Sequence, residues 1–406
     1  MHILFLTDNF PPEGNAPATR TYEHAREWVK AGHRVTVITC APNFPEGKVY
    51  PGYENKLFQM ENMDGIEVRR VKTYITANEG FARRSLDYLS FIFSAIIAGL
   101  FVRKPNVIVA TSPQFFCACG GWFLSFLRRK PFVFELRDIW PASIQAVGAS
   151  KNSRLLRMLE KVELFLYRRS DLIIAVTNSF KAELISRGIN AKKISVVLNG
   201  VDLQVYQPRE KDNELRDSFN LKDKFVIGYL GTIGLAHAVE VVIEAAEKLR
   251  NRDDISFLIV GGGANAERIR LFSQDKNLSN LLFMGRQSKS KMPAIWSLCD
   301  LSIVHLRNSP LFSKVIPSKI FESWAMGLPV LIGVPEGEAT KLVRAHDSGV
   351  VIDPESPEQI AESVLNLCED RTEWERLRNN CLDAAQQFDR KRLALDMLKE
   401  LEQVAC

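Results

Sequence analysis

Short apolar segments alternate with longer amphipathic segments along most of the chain. In the first half, the segments that predict buried strands are His2–Thr7, Arg34–Cys40, Val107–Thr111, Phe132–Leu136 and Leu172–Val176. In the second half they are Phe225–Leu230, Phe257–Val260, Leu281–Met284, Leu301–Leu306, Pro329–Val334 and Val350–Ile352. Segments whose apolar residues have helical spacing lie between these strands, for example Thr19–Ala31, Val239–Arg250 and Ala264–Gln274. This alternation predicts an α/β protein whose parallel sheets are covered by helices on both faces.

The length of 406 residues is too great for one sheet of this kind. A polar stretch, Val201–Asn213, follows a completed strand and contains Pro208, which favours a boundary there. We therefore predict two Rossmann-like, doubly wound domains, 1–204 and 205–388, followed by a terminal helix over 389–406. Ligands of such domains bind at the carboxyl ends of the strands, so we expect the site in a cleft between the two.

Charge is distributed unevenly between the halves. The first 200 residues carry 27 Lys and Arg against 17 Asp and Glu, whereas the remainder carries 26 against 31. Two apolar segments of the basic half, Tyr88–Val102 and Gln114–Leu127, are flanked by basic residues. They are either buried helices or helices that lie on an anionic membrane surface. A helix over the first would be about 22 Å long, short of a ~30 Å bilayer core.

Composition and motifs disfavour a structural metal site, a secreted protein and a nucleic-acid-binding protein. The seven cysteines include no Cys-x-x-Cys pair and no zinc-like spacing with histidine, so reduced thiols and no structural metal are expected. The N-terminus lacks the basic region of a signal peptide, which favours the cytoplasm. Nucleic-acid binding is disfavoured because no basic–aromatic strip or known motif accompanies the basic half.

Glycine-containing loops follow three predicted strands of the second half. They begin at Gly231, at Gly261 and at Gly285, and the first reads Gly231, Thr232, Ile233, Gly234. Loops at neighbouring strand ends of one sheet converge, and glycine lets a phosphate approach the backbone. Their convergence predicts a nucleotide or phosphorylated ligand. The loop Asp8–Ala16 of the first half is compatible with anion binding or with an ordinary connection, and it lacks a nicotinamide fingerprint.

The segment Lys314–Gly327 is the most informative. Pro317 fits the first position of a short helix that ends at Gly327. Ser318 and Lys319 would lie beside unpaired backbone donors, which suits a diphosphate. Glu322 could accept two hydrogen bonds from a ribose diol, although Lys319 and Glu322 could also form a surface ion pair.

Four segments together resemble family 4 of the retaining, GT-B-fold glycosyltransferases, closest to the bacterial branch of O-antigen, colanic-acid-type and capsule synthesis. They are FPPEGNAPATR (10–20), FELRDIWPAS (134–143), VLNGVD (197–202) and PSKIFESWAMGLPVLI (317–332). The resemblance implies a nucleotide-sugar donor, by family habit a UDP-linked N-acetyl amino sugar, and no metal or other cofactor. It implies a polyprenyl-diphosphate-linked acceptor and a peripheral position on the cytoplasmic face of the inner membrane.

The resemblance also assigns roles to residues. Glu322 matches the second glutamate of the family's E-x7-E motif, which binds the ribose, whereas Lys314 stands where the first is expected. A lysine cannot accept a sugar hydroxyl, but it could neutralise the leaving diphosphate. We expect the amides of Gly231–Gly234, Ser318, Lys319 and Lys314 to meet that charge. The remaining assignments are donor contacts at Gly14, Asn15, Gly262 and Arg286, and acceptor handling at Asp138, which could instead cap the next helix.

Other functions remain open at this point. Another GT-B enzyme, such as a nucleotide-sugar 2-epimerase or a phosphorylase, would need cleft carboxylates or a pyridoxal lysine, and no clear set is evident. An inactive nucleotide-sugar-binding protein at the membrane is compatible with Lys314. The favoured mechanism is same-face transfer without a protein nucleophile, in which fixed positive potential stabilises the departing diphosphate.

Overall fold

The computed structural model describes residues 1–44, 46–76, 81–112, 114–139 and 153–405. The chain forms two compact units, one of residues 1–198 with 390–406 and the other of residues 199–389. The chain therefore passes into the second unit at Asn199 and returns to the first at Arg390. The sequence-based division set its boundary at residue 204 and treated the C-terminal segment as a separate helix.

The first unit is built on an eight-stranded sheet in the order β3-β4-β2-β1-β5-β6-β7-β8. Every neighbouring pair is parallel except β3 and β4, which are antiparallel. The two central strands, β1 and β5, are completely buried, which matches their largely apolar sequence. The strands are β1 His2–Leu6, β2 Arg34–Cys40, β3 Phe58–Met63, β4 Ile66–Val71, β5 Val107–Thr111, β6 Phe132–Leu136, β7 Leu172–Ala175 and β8 Ile194–Val196.

Helices cover this sheet. They are α1 Ala16–Lys30, α2 Phe81–Leu100, α3 Phe115–Arg128, α4 Ser153–Arg169 and α5 Asn178–Ser186, together with the C-terminal helix α14 Arg390–Ala405. The C-terminal helix is joined to α1 by specific contacts: the indole N–H of Trp28 donates to the Ala394 carbonyl (2.7 Å), and Arg390 pairs with Glu23 (2.6 Å). No helix in the described part of the chain combines the length and the hydropathy needed to cross a bilayer.

The second unit has a six-stranded, fully parallel sheet in the order β11-β10-β9-β12-β13-β14. If its strands are counted from one, this order is 3-2-1-4-5-6, the arrangement of dinucleotide-binding Rossmann domains. The strands are β9 Phe225–Leu230, β10 Ile255–Val260, β11 Leu281–Gly285, β12 Leu301–His305, β13 Val330–Gly333 and β14 Gly349–Ile352. All six strands predicted in this half are present.

Some helices of the second unit begin at a side chain that accepts a hydrogen bond from a free amide of the first turn. Ser356 accepts from the amide of Gln359, and Asp370 from that of Glu373. The helices are α6 Asn213–Ser218, α7 Glu240–Lys248, α8 Ala266–Lys276, α9 Met292–Trp296, α10 Lys319–Met326, α11 Glu338–Ala345, α12 Pro357–Glu369 and α13 Arg371–Gln387.

Two sequence-based expectations are wrong in detail. The sheet of the first unit is not wholly parallel, because β3 and β4 form an antiparallel hairpin at its edge. Strands β3, β4 and β8 were not predicted, and β3 differs from the predicted strands because three of its six residues, FQMENM, are polar and none of them is fully buried. The helix predicted to start at Pro317 begins at Lys319, since Pro317 and Ser318 only supply the carbonyls that the first turn bonds.

Candidate active site

The strand order of the second unit creates one crevice. Strands β9 and β12 are neighbours, yet the chain continues from β9 to one side of the sheet and from β12 to the other. The connections after these two strands therefore diverge, which leaves a groove at their carboxyl ends where ligands of such sheets bind. The connection after β9 starts at Gly231, and the connection after β12 leads into α10.

The three glycine loops are joined to one another by backbone hydrogen bonds. Gly261 N–H donates to the Gly285 carbonyl (2.9 Å), and Gly231 N–H donates to the Val260 carbonyl (2.8 Å). Further along, Ile233 N–H donates to the Gly262 carbonyl (2.9 Å). A β-carbon at position 261 would lie 1.8 Å from the Gly231 carbonyl oxygen, so only glycine fits there. The predicted convergence of these loops is present in the structure.

Lys319 crosses from α10 to the first of these loops. Its Nζ lies 3.7 Å from the centre of the Tyr229 ring, a cation–π contact. Gly231 has a φ of +134°, and a β-carbon there would come 2.5 Å from Cε of Lys319. The missing side chain at Gly231 therefore makes room for the lysine, which reaches the carboxyl end of β9 from the neighbouring helix.

The environment of Lys319 lowers the pKa of its side-chain amine. Burial lowers the pKa of Lys319 to about 7, although the Glu322 carboxylate one turn later favours the charged form. A diphosphate beside this amine would restore the ammonium form. The site thus holds a lysine whose charge responds to an incoming anion near neutral pH.

His237 is not a cation in this loop. Burial, with a smaller effect from the charge of Lys319, lowers the pKa of His237 to about 3, so its imidazole is neutral. Its Nδ1 accepts from the Gly234 N–H (3.3 Å) and so fixes the glycine loop. Positive charge for a phosphate must come from elsewhere, and Lys319 is a cation that the structure brings to the start of this loop.

The first turn of α10 offers backbone donors. Ser318 is the N-cap residue, and its side chain makes no capping hydrogen bond. The amides of Ser318 and Lys319 precede the first hydrogen bond of this turn, from Ile320 N–H to the Pro317 carbonyl (3.2 Å). The helix ends at Gly327, which has a left-handed φ of 69°, as the sequence predicts. The helix start therefore presents donors and a positive dipole end beside Lys319.

Three other predicted site residues belong to this unit: Arg286, Glu322 and Lys314. Arg286 is exposed, and its Cβ lies 3.2 Å from the position that a β-carbon of Gly262 would take, so it borders the second glycine loop. Glu322 lies in the first turn of α10 and is partly buried. Lys314 ends a short 3-10 helix, Pro310–Lys314, whose Ser313 carbonyl packs against Gly337 at the start of α11. The part of Lys314 in diphosphate binding stays a prediction.

Three predicted residues belong to the first unit. Asn15 is the N-cap of α1, and its side chain accepts from the Ala18 N–H (2.9 Å), while a β-carbon at Gly14 would meet no atom within 4 Å. Asp138 follows β6, and its N–H donates to Oγ of Ser112 (3.2 Å). Residues 140–152 lie outside the described residues, so the alternative that Asp138 caps the next helix stays a prediction. The roles of Gly14, Asn15 and Asp138 toward a substrate stay predictions.

Sequence reasoning missed the residues that hold the first glycine loop against β12. Nδ1 of His305 lies 2.9 Å from the His237 carbonyl, and Arg307 N–H donates to the Ala236 carbonyl (2.8 Å). Arg307 also pairs with Glu240 at the start of α7 (2.6 Å). These residues lie at the carboxyl end of β12, next to β9. That adjacency follows from the strand order, which the amino-acid sequence does not display.

Two family models match almost the entire chain between them. The model of Glycosyltransferase Family 4 matches residues 17–205, and the model of Glycosyl transferases group 1 matches residues 210–388. The second match contains the whole crevice described above. The protein is a glycosyltransferase. Its two units carry a family 4 domain and a group 1 domain, in that order.

Individual relatives agree with this assignment. The glycosyltransferase is 27% identical over 375 residues to WcaI of Escherichia coli (strain K12), which carries the name of a colanic acid biosynthesis glycosyl transferase. The match covers 90% of this chain and 91% of WcaI. Sucrose-phosphate synthase from Thermosynechococcus elongatus superposes with a TM-score of 0.79 at 17% identity, covering 99% and 98% of the two chains.

A second solved structure is that of Anabaena Alr3699/HepE in complex with UDP-glucose. It superposes with a TM-score of 0.73 at 18% identity, over 99% of this chain and 100% of HepE. The predicted GT-B fold, with two Rossmann-like α/β units, is confirmed by these similarities and by the two sheets.

Proposed function

We propose that this glycosyltransferase takes a sugar from a nucleoside diphosphate sugar that is bound in the crevice of its second unit. The observation that carries the proposal is the position of Lys319, which reaches Gly231 at the point where β9 and β12 part. In a Rossmann sheet this is the place for a phosphorylated ligand. The donors of the first turn of α10 and the three joined glycine loops support a diphosphate there.

The chemistry proposed for this site is charge stabilisation. As the glycosidic bond to the diphosphate breaks, negative charge accumulates on the leaving oxygen. Lys319, charged once a diphosphate is bound, and the helix-start amides would stabilise that charge without reorganising. Lys314 would add to this potential, and Glu322 would accept hydrogen bonds from the ribose. We infer transfer with retention of configuration, without a protein nucleophile and without a metal ion, so EDTA should leave the rate unchanged.

The donor proposed is a UDP-linked sugar, with an N-acetyl amino sugar favoured. HepE was solved with UDP-glucose, which supports a uridine nucleotide in this fold. Other relatives are named as GDP-mannose-dependent enzymes, for example an alpha-mannosyltransferase of Mycobacterium tuberculosis that is 22% identical over 378 residues. A donor screen by mass spectrometry with UDP- and GDP-sugars distinguishes the two nucleotides.

The acceptor proposed is a saccharide linked to polyprenyl diphosphate, in the synthesis of a bacterial surface polysaccharide such as O-antigen or capsule. Similarity to WcaI over nine-tenths of both chains supports a surface polysaccharide. The excess of Lys and Arg in the first 200 residues supports a peripheral position on an anionic membrane at the cytoplasmic face. Residues of the first unit, among them Asp138, would handle the acceptor.

The test is the rate of nucleotide release in the presence of a lipid-linked acceptor. Substitution of Lys319 by Ala should lower turnover by about 10²–10³-fold and weaken nucleotide affinity, because one charged donor to the diphosphate is lost. Lys319→Arg should recover part of the rate. Lys222→Ala is the matched control, since Lys222 is exposed and precedes β9 at the opposite edge of the sheet.

The outcome also separates the alternatives. Full turnover and unchanged nucleotide affinity in Lys319→Ala would contradict the proposed site. Binding of the nucleotide sugar without release of the nucleoside diphosphate, whichever acceptor is added, would favour the inactive binding protein with which Lys314 is compatible. Conversion of the donor sugar to its epimer, detected by NMR, would favour the 2-epimerase.

A further inference from the structure

Helix α2 has an apolar stripe that faces solvent. Large hydrophobic side chains recur every three or four residues on this face, the spacing of one side of a helix. Phe93 and Ile97 are 68% and 60% exposed, and Phe101, just after the helix, is 77% exposed. The full stripe is Leu86, Leu89, Phe93, Ile97, Leu100 and Phe101. Its opposite side, which includes Phe91 and Ala95, is buried.

The neighbouring helices extend this apolar surface. Helix α3 packs against both α2 and α4. It exposes Phe123, Phe126 and Leu127, and α4 exposes Met158 and Phe165. The Trp122 ring joins them, with its centre 4.8 Å from that of Phe165 and 6.2 Å from that of Phe126. We call the exposed hydrophobic residues of α2, α3 and α4, together with Phe101 and Trp122, the apolar belt.

The charges around the belt are predominantly basic, although α4 also exposes Glu160. From residue 81 to residue 130 the sequence contains seven Lys and Arg and a single acidic residue, Asp87. Arg103 and Lys104 follow α2, and Arg129 and Lys130 follow α3, and all four are exposed. An apolar surface with a basic rim complements a bilayer of anionic lipid. Two copies of the chain would place equal charges together if they paired through the belt.

We propose that the apolar belt inserts into the outer acyl region of an anionic bilayer, so that the first unit is anchored and not only attracted to the surface. The proposal deepens, and rests on, the proposed lipid-linked acceptor. Basic residues alone give binding that salt removes, because charges beyond a Debye length are screened. Burial of aromatic and aliphatic side chains adds a part that salt does not remove. The two contributions are therefore separable.

The experiment is cosedimentation of the full chain with vesicles of phosphatidylglycerol and phosphatidylcholine. We expect binding at 0.1 M NaCl and a residual fraction at about 0.5 M NaCl, where the Debye length is near 4 Å. The double variant Phe93→Gln/Phe126→Gln should lose the residual fraction and bind about tenfold or more weakly at low salt. The control variant Arg103→Gln/Lys130→Gln should weaken binding at low salt only.

The depth to which the apolar belt enters the bilayer is measured by the fluorescence of Trp122. Vesicles with brominated acyl chains should quench the wild type more than Trp122→Phe, and the difference should vanish with headgroup-labelled quenchers. UDP binding by each variant confirms that the protein is folded, and it distinguishes a failed anchor from a failed donor site. Binding lost completely at high salt, no difference in quenching, or a dimer in solution that Phe93→Gln/Phe126→Gln dissociates would overturn the proposal.

Discussion

Lys319 shows how a single residue can depend on neighbours that are distant in sequence. Its position next to Ser318 and Glu322 is visible in the sequence, and a diphosphate contact is predicted from it. The low pKa of Lys319 cannot be predicted in this way, because it comes from burial in the tertiary fold, where the lysine contacts Tyr229, 90 residues earlier on β9. The space for its side chain comes from Gly231, again on the first loop. Residue type and local spacing predict the chemistry, whereas the strength of the charge depends on the tertiary fold.

A proton-uptake experiment tests this environment. With a pKa of about 7, the Lys319 amine is mostly neutral at pH 8 and mostly charged at pH 6. A bound diphosphate raises this pKa, so donor binding should take up about one proton at pH 8 and about a tenth of that at pH 6. Calorimetry of a UDP-sugar in buffers of different ionisation enthalpy measures the uptake. Lys319→Ala should abolish it, and wild-type binding at pH 8 without uptake would contradict the account.

At the scale of elements, strands and helices with strong periodicity are predictable and their partners are not. The central strands are recognised because burial on both faces demands a nearly continuous apolar sequence, as in Val107–Thr111. The edge hairpin of β3 and β4 is missed because three of the six residues of β3 are polar and none is fully buried, so β3 lacks the apolar run of a buried strand. The carboxyl-end loops are recognised from their glycines, but the hydrogen bonds that join them require the strand order.

Gly261 tests the joining of the glycine loops. In Gly261→Ala the new β-carbon would lie 1.8 Å from the Gly231 carbonyl oxygen, so the backbone must shift. We expect the second unit to lose about 3 kcal/mol or more of its free energy of unfolding and nucleotide binding to fall with it. Gly14→Ala is the control for the urea midpoint alone, because no atom lies within 4 Å of its β-carbon. Equal urea midpoints for the two variants and the wild type would show that the loops are not in contact.

At the scale of the molecule, the two-unit plan is predictable and the route of the chain is only partly so. Repetition of the strand–helix pattern predicts two Rossmann-like domains. The sequence has no local sign that the chain returns from the second unit at Arg390 to complete the first. The return is fixed by tertiary contacts, since α14 buries Met397, Leu398 and Leu401 in the core of the first unit.

A truncation after residue 389 tests that return. Removal of α14 exposes the core side chains it covers, and it leaves the buried Glu23 without Arg390. Burial of three large apolar side chains alone is worth about 5 kcal/mol or more, comparable with the stability of a domain. We therefore expect the first unit to unfold, as a lost calorimetric transition. Lys399→Ala, on the exposed side of the same helix, should change nothing, and an intact transition after truncation would contradict the division into units.

The most direct test of the central claim is a crystal structure of the full chain with UDP. We expect the diphosphate to lie at the carboxyl ends of β9 and β12, within hydrogen-bonding distance of the Lys319 amine and of the amides of Ser318 and Lys319. A nucleotide bound elsewhere on the chain, or bound in this crevice with its phosphates turned away from Lys319, would contradict it.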